Sequence, residues 1–166
     1  MTEKPIKCVV VGDGTVGKTC LILRYTLGDL TSLGVYVPTV ADTYSVKLTA
    51  GNTSILLSLW DTAGQQDYKR LRQLSYPQTN IFLVCFAVNN TPSFENAQDL
   101  WVPEVRHFCP NALVLLGRQL AKRLKVDGYV ECSALTGEGV KDVFDTAIRL
   151  AVAYKTPLKK RSCSIM

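Results

Sequence analysis

Ile6-Lys7-Cys8-Val9-Val10-Val11-Gly12-Asp13-Gly14-Thr15-Val16-Gly17-Lys18-Thr19 is the stretch on which the fold turns. Its opening residues form a short β-branched run closed by a glycine, which predicts a buried strand. Gly12 to Thr19 then fit G-x-x-x-x-G-K-[ST], and from Lys18 to about Leu27 the residues Leu21, Ile22 and Tyr25 recur at helical spacing. Strand, glycine loop and helix in that order are the context a phosphate cradle requires. Glycines let the backbone wrap the anion so that successive N–H groups and the positive end of the helix face it. Lys18 adds a charge at the β- and γ-phosphates, and the Thr19 hydroxyl is of the type that ligates Mg²⁺. An ordinary strand-to-helix turn has no need of lysine followed by threonine.

Outward from this stretch, Gly28 to Pro38 reads as a long loop, and Tyr44–Ala50 and Ser54–Trp60 flank Gly51-Asn52 as a hairpin. Ile81 to Val88 reads as a second buried strand. Thr91-Pro92 starts a helix carrying Phe94, Ala97, Trp101, Val105 and Phe108 on one side, with Pro103 expected to kink it. Trp101 reads as core. Ala112 to Leu116 is the next strand, Gly117 punctuates it, Arg118 to Lys125 is a short helical stretch, and Tyr129 to Cys132 is a further strand. Val140, Val143, Phe144, Ala147, Ile148 and Ala151 then mark the apolar face of a last helix. Strands alternating with helices predict an α/β fold: a doubly wound, mostly parallel sheet of about six strands, with one antiparallel edge strand and helices on both faces.

A second motif narrows the chemistry. Asp61-Thr62-Ala63-Gly64-Gln65 follows the second hairpin strand, where a carboxylate leaving the sheet can hold Mg²⁺, commonly through water. Gly64 offers an N–H to a γ-phosphate, and Gln65 is an uncharged donor and acceptor suited to orienting a water. A lone D-x-x-G is weak, but in this order after a phosphate loop it is strong.

These residues resemble the small GTPases, and the likeness is to the Rho/Rac branch. It is carried by Asp61 to Gln65 with Asp67-Tyr68 and Leu71-Arg72, by Leu74-Ser75-Tyr76-Pro77-Gln78-Thr79 and by Trp101-Val102-Pro103-Glu104. Glu131-Cys132-Ser133-Ala134-Leu135-Thr136 and the final Cys163-Ser164-Ile165-Met166 extend it over nearly the whole chain. The resemblance implies a GTP/GDP switch with Mg²⁺ as cofactor. Its nucleotide-binding set would be Gly14, Thr15, Val16, Gly17, Lys18, Thr19, Cys20, Tyr36, Thr39, Asp61, Gly64, Ser133, Ala134 and Leu135. Thr19, Thr39 and Asp61 would serve the metal, Gln65 and Lys18 the hydrolysis, and Val40, Ala41 and Asp42 the effectors. Exchange factors, GTPase-activating proteins and effectors are the implied partners, and the actin cytoskeleton and cell shape the implied field of action.

Departures from that family are visible too. After Leu116-Gly117 the family has Asn/Thr-Lys-x-Asp, whose aspartate reads the guanine edge, and the Rho branch adds a short helix. Here Gly117 runs into Arg118-Gln119-Leu120-Ala121-Lys122, so that segment is missing. Losing two charge-assisted hydrogen bonds predicts guanine binding weaker by roughly 10² to 10⁴. Leu124-Lys125-Val126-Asp127 contains K-x-D but reads as a helix end and turn, at the wrong end of the sheet for a base. Leu30 replaces an aromatic near the base, Ala41 replaces one shown to effectors, and Gln66 and Lys69 replace acids. The second reading is therefore a nucleotide-impaired interaction module.

Composition sets the remaining bounds. The chain has 166 residues, 47% hydrophobic and 20% charged, consistent with one domain, expected over 1–154, and a tail over 155–166. The longest apolar runs are far short of the ~20 residues of a membrane-spanning helix. Met1 to Pro5 lack the pattern of a secretory signal, so a reducing compartment and free thiols are expected for the six cysteines. Cys8, Cys20, Cys85, Cys109 and Cys132 show no C-x-x-C spacing, and His107 reads as a packing or surface residue. The formal net charge is +5, yet Lys155, Lys159, Lys160 and Arg161 lie in the tail, which has no acid, leaving +1 for the rest. That argues against a nucleic-acid partner, and on charge alone it leaves two readings of the tail, a polybasic segment meeting an anionic membrane surface or a solvated terminus. Cys163-Ser164-Ile165-Met166 fits C-a-a-X, so prenylation at Cys163 is expected, placing the protein on the cytoplasmic face of the plasma membrane or endomembranes.

Overall fold

The computed structural model describes residues 3–30, 39–50, 53–115, 127–128 and 130–154. In chain order these form β1 (Lys4–Gly12), α1 (Lys18–Leu27), β2 (Ala41–Ala50), β3 (Thr53–Thr62), a 3₁₀ turn (Gln66–Tyr68) running into α2 (Lys69–Gln73), and β4 (Ile81–Cys85). Then come α3 (Thr91–Asn96), a π turn (Ala97–Trp101), α4 (Val102–Phe108), β5 (Leu113–Leu115) and α5 (Val140–Ala153). The strands lie in the order β2-β3-β1-β4-β5. β1 pairs parallel with β3 and β4, β4 pairs parallel with β5, and β2 is the antiparallel edge on β3.

Alternation along the strands divides the core in two. Ile6, Cys8 and Val10 of β1 pack with Ile55, Leu57 and Leu59 of β3 on the face that α1 and α5 cover. Val9 and Val11 look the other way, joining Phe82, Val84, Ala97, Trp101 and Val105. A strand buried on both faces needs an unbroken apolar run, which is why β1 is Val-rich and non-alternating. All six residues named for the apolar face of the last helix are buried in α5. Tyr25 of α1 stacks on Phe144 of α5 with ring centroids 3.9 Å apart, locking the two helices together.

Several expectations are corrected. The sheet has five strands among the described residues, not about six: Val130 to Cys132 are not in a strand, Tyr129 lies outside the described residues, and Gly128 makes an isolated parallel bridge to Leu115. β4 stops at Cys85 instead of reaching Val88, since its partner β1 ends at Gly12 and the next residues are claimed by a turn. There Ser93 Oγ accepts from Ala87 N (3.0 Å), and Asn90 N donates to Ala87 O (3.0 Å). Pro103 does not simply kink one helix. It lacks the N–H that would continue the ladder, and the turn before it widens into a π segment closed by Val102 N on Ala97 O. Phe108 is 46% exposed, so the apolar side of this helix ends at Val105. Gly51-Asn52, residues 31–38 with most of the long loop, the Arg118 to Lys125 stretch and the tail lie outside the described residues.

Candidate functional site

The order of strands reverses beside β1: the chain leaves β1 toward β3 on one side and reaches β4 on the other. In open α/β sheets the crevice beyond the carboxyl ends of the strands at such a reversal is where ligands bind. The loop Gly12 to Gly17 lies there. Gly12 has φ 144°, and a Cβ on it would sit 2.2 Å from the Cys85 carbonyl oxygen, so only glycine lets the loop leave the sheet at this point. Gly17 caps α1 with no side-chain bond and no acid follows in the first turn, which leaves the helix start open to an anion. Lys18 is buried and donates from Nζ to the carbonyls of Gly12 (2.9 Å) and Asp13 (2.7 Å), closing the loop into a ring. Burial pushes its ammonium below the ordinary value of 10.5.

Thr19, Thr39 and Asp61 converge from three separate segments. Thr19 Oγ1 donates to Asp61 Oδ2 at 2.6 Å and lies 2.8 Å from Thr39 Oγ1. One hydroxyl has one proton, so Thr39 must be the donor to Thr19. Asp61 is 1% exposed, and its Oδ1 has no hydrogen-bond partner. Burial raises its carboxyl above the ordinary value, against the lowering effect of Thr19 and Lys18. An orphaned buried carboxylate oxygen beside two hydroxyls is a donor set that fits a hard divalent cation.

Beyond Asp61 the chain passes through Ala63, buried, to Gly64, where a Cβ would fall 2.3 Å from Asp13 C and Gly14 N. The segment after β3 therefore rests directly on the phosphate loop, and only glycine permits it. Gln65 is exposed at the start of the 3₁₀ turn. Its carbonyl accepts from Arg72 Nη1 (3.3 Å), as does that of Ala63 (2.9 Å). Arg72 is 1% exposed. Its Nε donates to Glu104 Oε1 (3.3 Å), which also accepts from Tyr76 OH (2.6 Å), and its guanidinium lies 4.4 Å from the centre of the Trp101 ring.

The family model described as Ras family matches residues 7–120. The chain belongs to the Ras family. Its members are small GTPases, so the phosphate loop, the converging hydroxyls and the carboxylate occupy a site that the family uses for a guanine-nucleotide switch. Among the described residues the mostly parallel sheet with one antiparallel pair is consistent with a small G domain.

A cavity of about 770 Å³ runs from Val16 and Gly17 past Phe86 to Val130, Ser133 and Ala134. Ser133 and Ala134 line it; Leu135 is 82% exposed and does not. The Ser133 N–H is spent on Glu138 O (2.8 Å), and its Oγ accepts from Thr136 N (3.2 Å). Asp127, the aspartate of the K-x-D alternative, accepts at Oδ2 from Val114 N (2.8 Å) and pairs with Arg106. It staples the chain to β5, as a turn residue would. Val40 is 47% exposed and Ala41 and Asp42 open the edge strand β2, a surface available to a partner. Tyr36 and Cys163 lie outside the described residues, and Cys20 is half-buried in α1.

Sequence reasoning missed the grip on Asp13. Asn96 Nδ2 donates to Asp13 Oδ2 and Trp101 Nε1 to Asp13 Oδ1, both at 2.7 Å. Trp101 is core, fully buried, and bonds the phosphate loop as well. In the sequence Arg72, Tyr76 and Glu104 stand out only as parts of a family pattern. A buried Arg–Glu pair 32 positions apart leaves no local sequence signal.

Proposed function

We propose that the protein is a Rho/Rac-type GTP/GDP switch anchored to the cytoplasmic face of membranes. The observation that carries this is the convergence of Thr19, Thr39 and Asp61, with one carboxylate oxygen left orphaned, beside the Lys18 ring. These three residues would hold Mg²⁺, which would supply positive charge to offset that of the phosphates. The rest is the work of the chain. The loop N–H groups and Lys18 hold the phosphates, Gly64 offers its N–H beside the loop, and Gln65 orients the attacking water. Because Thr39 and Gly64 sit on segments that lead to exposed surface, loss of the terminal phosphate releases both and changes the surface a partner meets. Regulation of actin and cell shape rests on the Rho/Rac resemblance. Prenylation of Cys163 and the basic residues of 155–161 supply the membrane contact.

A second reading has a specific observation in its favour. Asp127, the aspartate of the K-x-D stretch, is engaged with Val114 and Arg106 at the sheet edge. That favours a chain which binds phosphates but reads guanine poorly, and acts by occupying regulators. Labelled GTP, GDP and ATP titrated onto the purified full chain with Mg²⁺ separate the two. Micromolar or tighter guanine binding that Lys18→Ala abolishes supports the switch, and no binding at millimolar nucleotide sinks it. ATP bound as tightly as GTP would identify the phosphate-only reading.

A further inference from the structure

Asp13 stands inside the phosphate loop, yet both of its carboxylate oxygens are held from outside it, by Asn96 and Trp101. Those two donors are five residues apart. On a regular α-helix such a pair would be about 140° apart around the axis and could not reach one carboxylate. Between them runs the π turn Ala97–Trp101, whose i→i+5 closure winds more loosely and brings both to the same side. The Trp101 ring also meets the Arg72 guanidinium, and Arg72 holds the carbonyls of Ala63 and Gln65. An anion accepting from the indole N–H pushes electron density into the ring, which strengthens its hold on the cation. With Trp101 and Arg72 both buried, solvent hardly screens either contact.

We propose that Asp13, Trp101 and Arg72 form one relay that sets the phosphate loop and the backbone of Gln65 in register with each other, with the π turn as the device that aims it. All three are positioning residues. Gly64 also packs closely on the backbone of Asp13 and Gly14, so the segment after β3 meets the loop directly as well as through the relay. The proposal rests on the phosphate-loop reading and assigns it a regulator outside the motifs.

Hydrogen exchange on the full chain without nucleotide is the primary test, because it decides the relay whether or not guanine binds. Asp13→Asn keeps the shape but turns an amide N–H₂ toward one of two donors. It is expected to speed exchange about tenfold in both segments, 12–17 and 63–68, with the strands 6–11 and 81–85 unchanged, the order expected for one lost charge-assisted hydrogen bond. Trp101→Phe should accelerate the same two segments, and the double variant should add little to either single one. Acceleration confined to 12–17 in Asp13→Asn, or effects that multiply in the double variant, would overturn the relay. Uniform acceleration in Trp101→Phe together with an unaffected 63–68 in Asp13→Asn would reduce Trp101 to packing. Where GTP binds, kcat should fall about tenfold with KM within about threefold. Equal loss in KM would place the effect on binding alone.

Discussion

Asp61 shows what a single residue gives up for a ligand. Its carboxyl is buried, bonded through one oxygen and orphaned at the other, and its proton affinity is raised above the ordinary value of 3.8 by burial. A carboxylate raised in the folded state binds protons better folded than unfolded, so it favours folding at acid pH. That favour is fully present below about 3.8 and is lost as pH rises through the higher folded value. At neutral pH Asp61 therefore works against the metal-free fold. Asp61→Asn is expected to raise the Tm in EDTA at pH 7 by about 2–4 °C. The gap from the parent should close as pH falls toward 3.8, and Mg²⁺ should stabilise the parent but not the variant. A variant that melts below its parent in EDTA at pH 7 would contradict this account. Lys18, Thr19 and Asp61 were legible because their spacing in the chain is the motif. Asp13 was not, since nothing in the loop sequence says that its partners lie on a helix more than eighty residues away.

Elements were legible where one periodicity ran without interference. α1 and α5 follow the 3.6-residue period, and the two-sided burial of β1 is written in its valines. Ends were harder to read, because they are decided by hydrogen bonds that cross the pattern. Phe86 to Val88 continue the apolar run of β4, but Ala87 is drawn into the start of α3. Asn90 caps that helix, its Oδ1 accepting from Ser93 N (3.1 Å), while the buried Ser93 hydroxyl donates to Asn90 O and accepts from Ala87 N. Asn90→Ala is expected to lower stability by about 1 kcal/mol in urea titration, with the denaturant slope unchanged. No loss of stability would mean that the Ser93 bonds alone fix the strand end. The π turn was illegible for a related reason: Asn96 and Trp101 look unrelated on a helical wheel, and Pro103 predicts a break without saying that the turn before it widens.

At the scale of the molecule, the doubly wound fold and its switch-point site followed from the order of motifs alone. The strand count did not: among the described residues Val130 to Cys132 run beside the sheet edge without joining it as a strand. Charge is also a whole-molecule property here, near neutral over 1–154 and basic over the tail. A nearly neutral body gains little at an anionic surface, so membrane affinity must come from Lys155, Lys159, Lys160 and Arg161 and from a lipid on Cys163. At about 1 kcal/mol for each basic residue, the four add up to ~10³ in partition, while a single lipid chain alone binds only marginally. Sedimentation of the prenylated full chain with vesicles containing phosphatidylserine tests both parts. Replacing the four bases by glutamine should lower partition by roughly 10² to 10³, and raising salt from 0.05 to 0.5 M should do much the same to the parent while leaving the variant little changed. Cys163→Ser should release the chain from vesicles of either charge. Equal binding by the parent and the glutamine variant would move the membrane contact off the tail and onto the folded domain, contrary to the charge distribution.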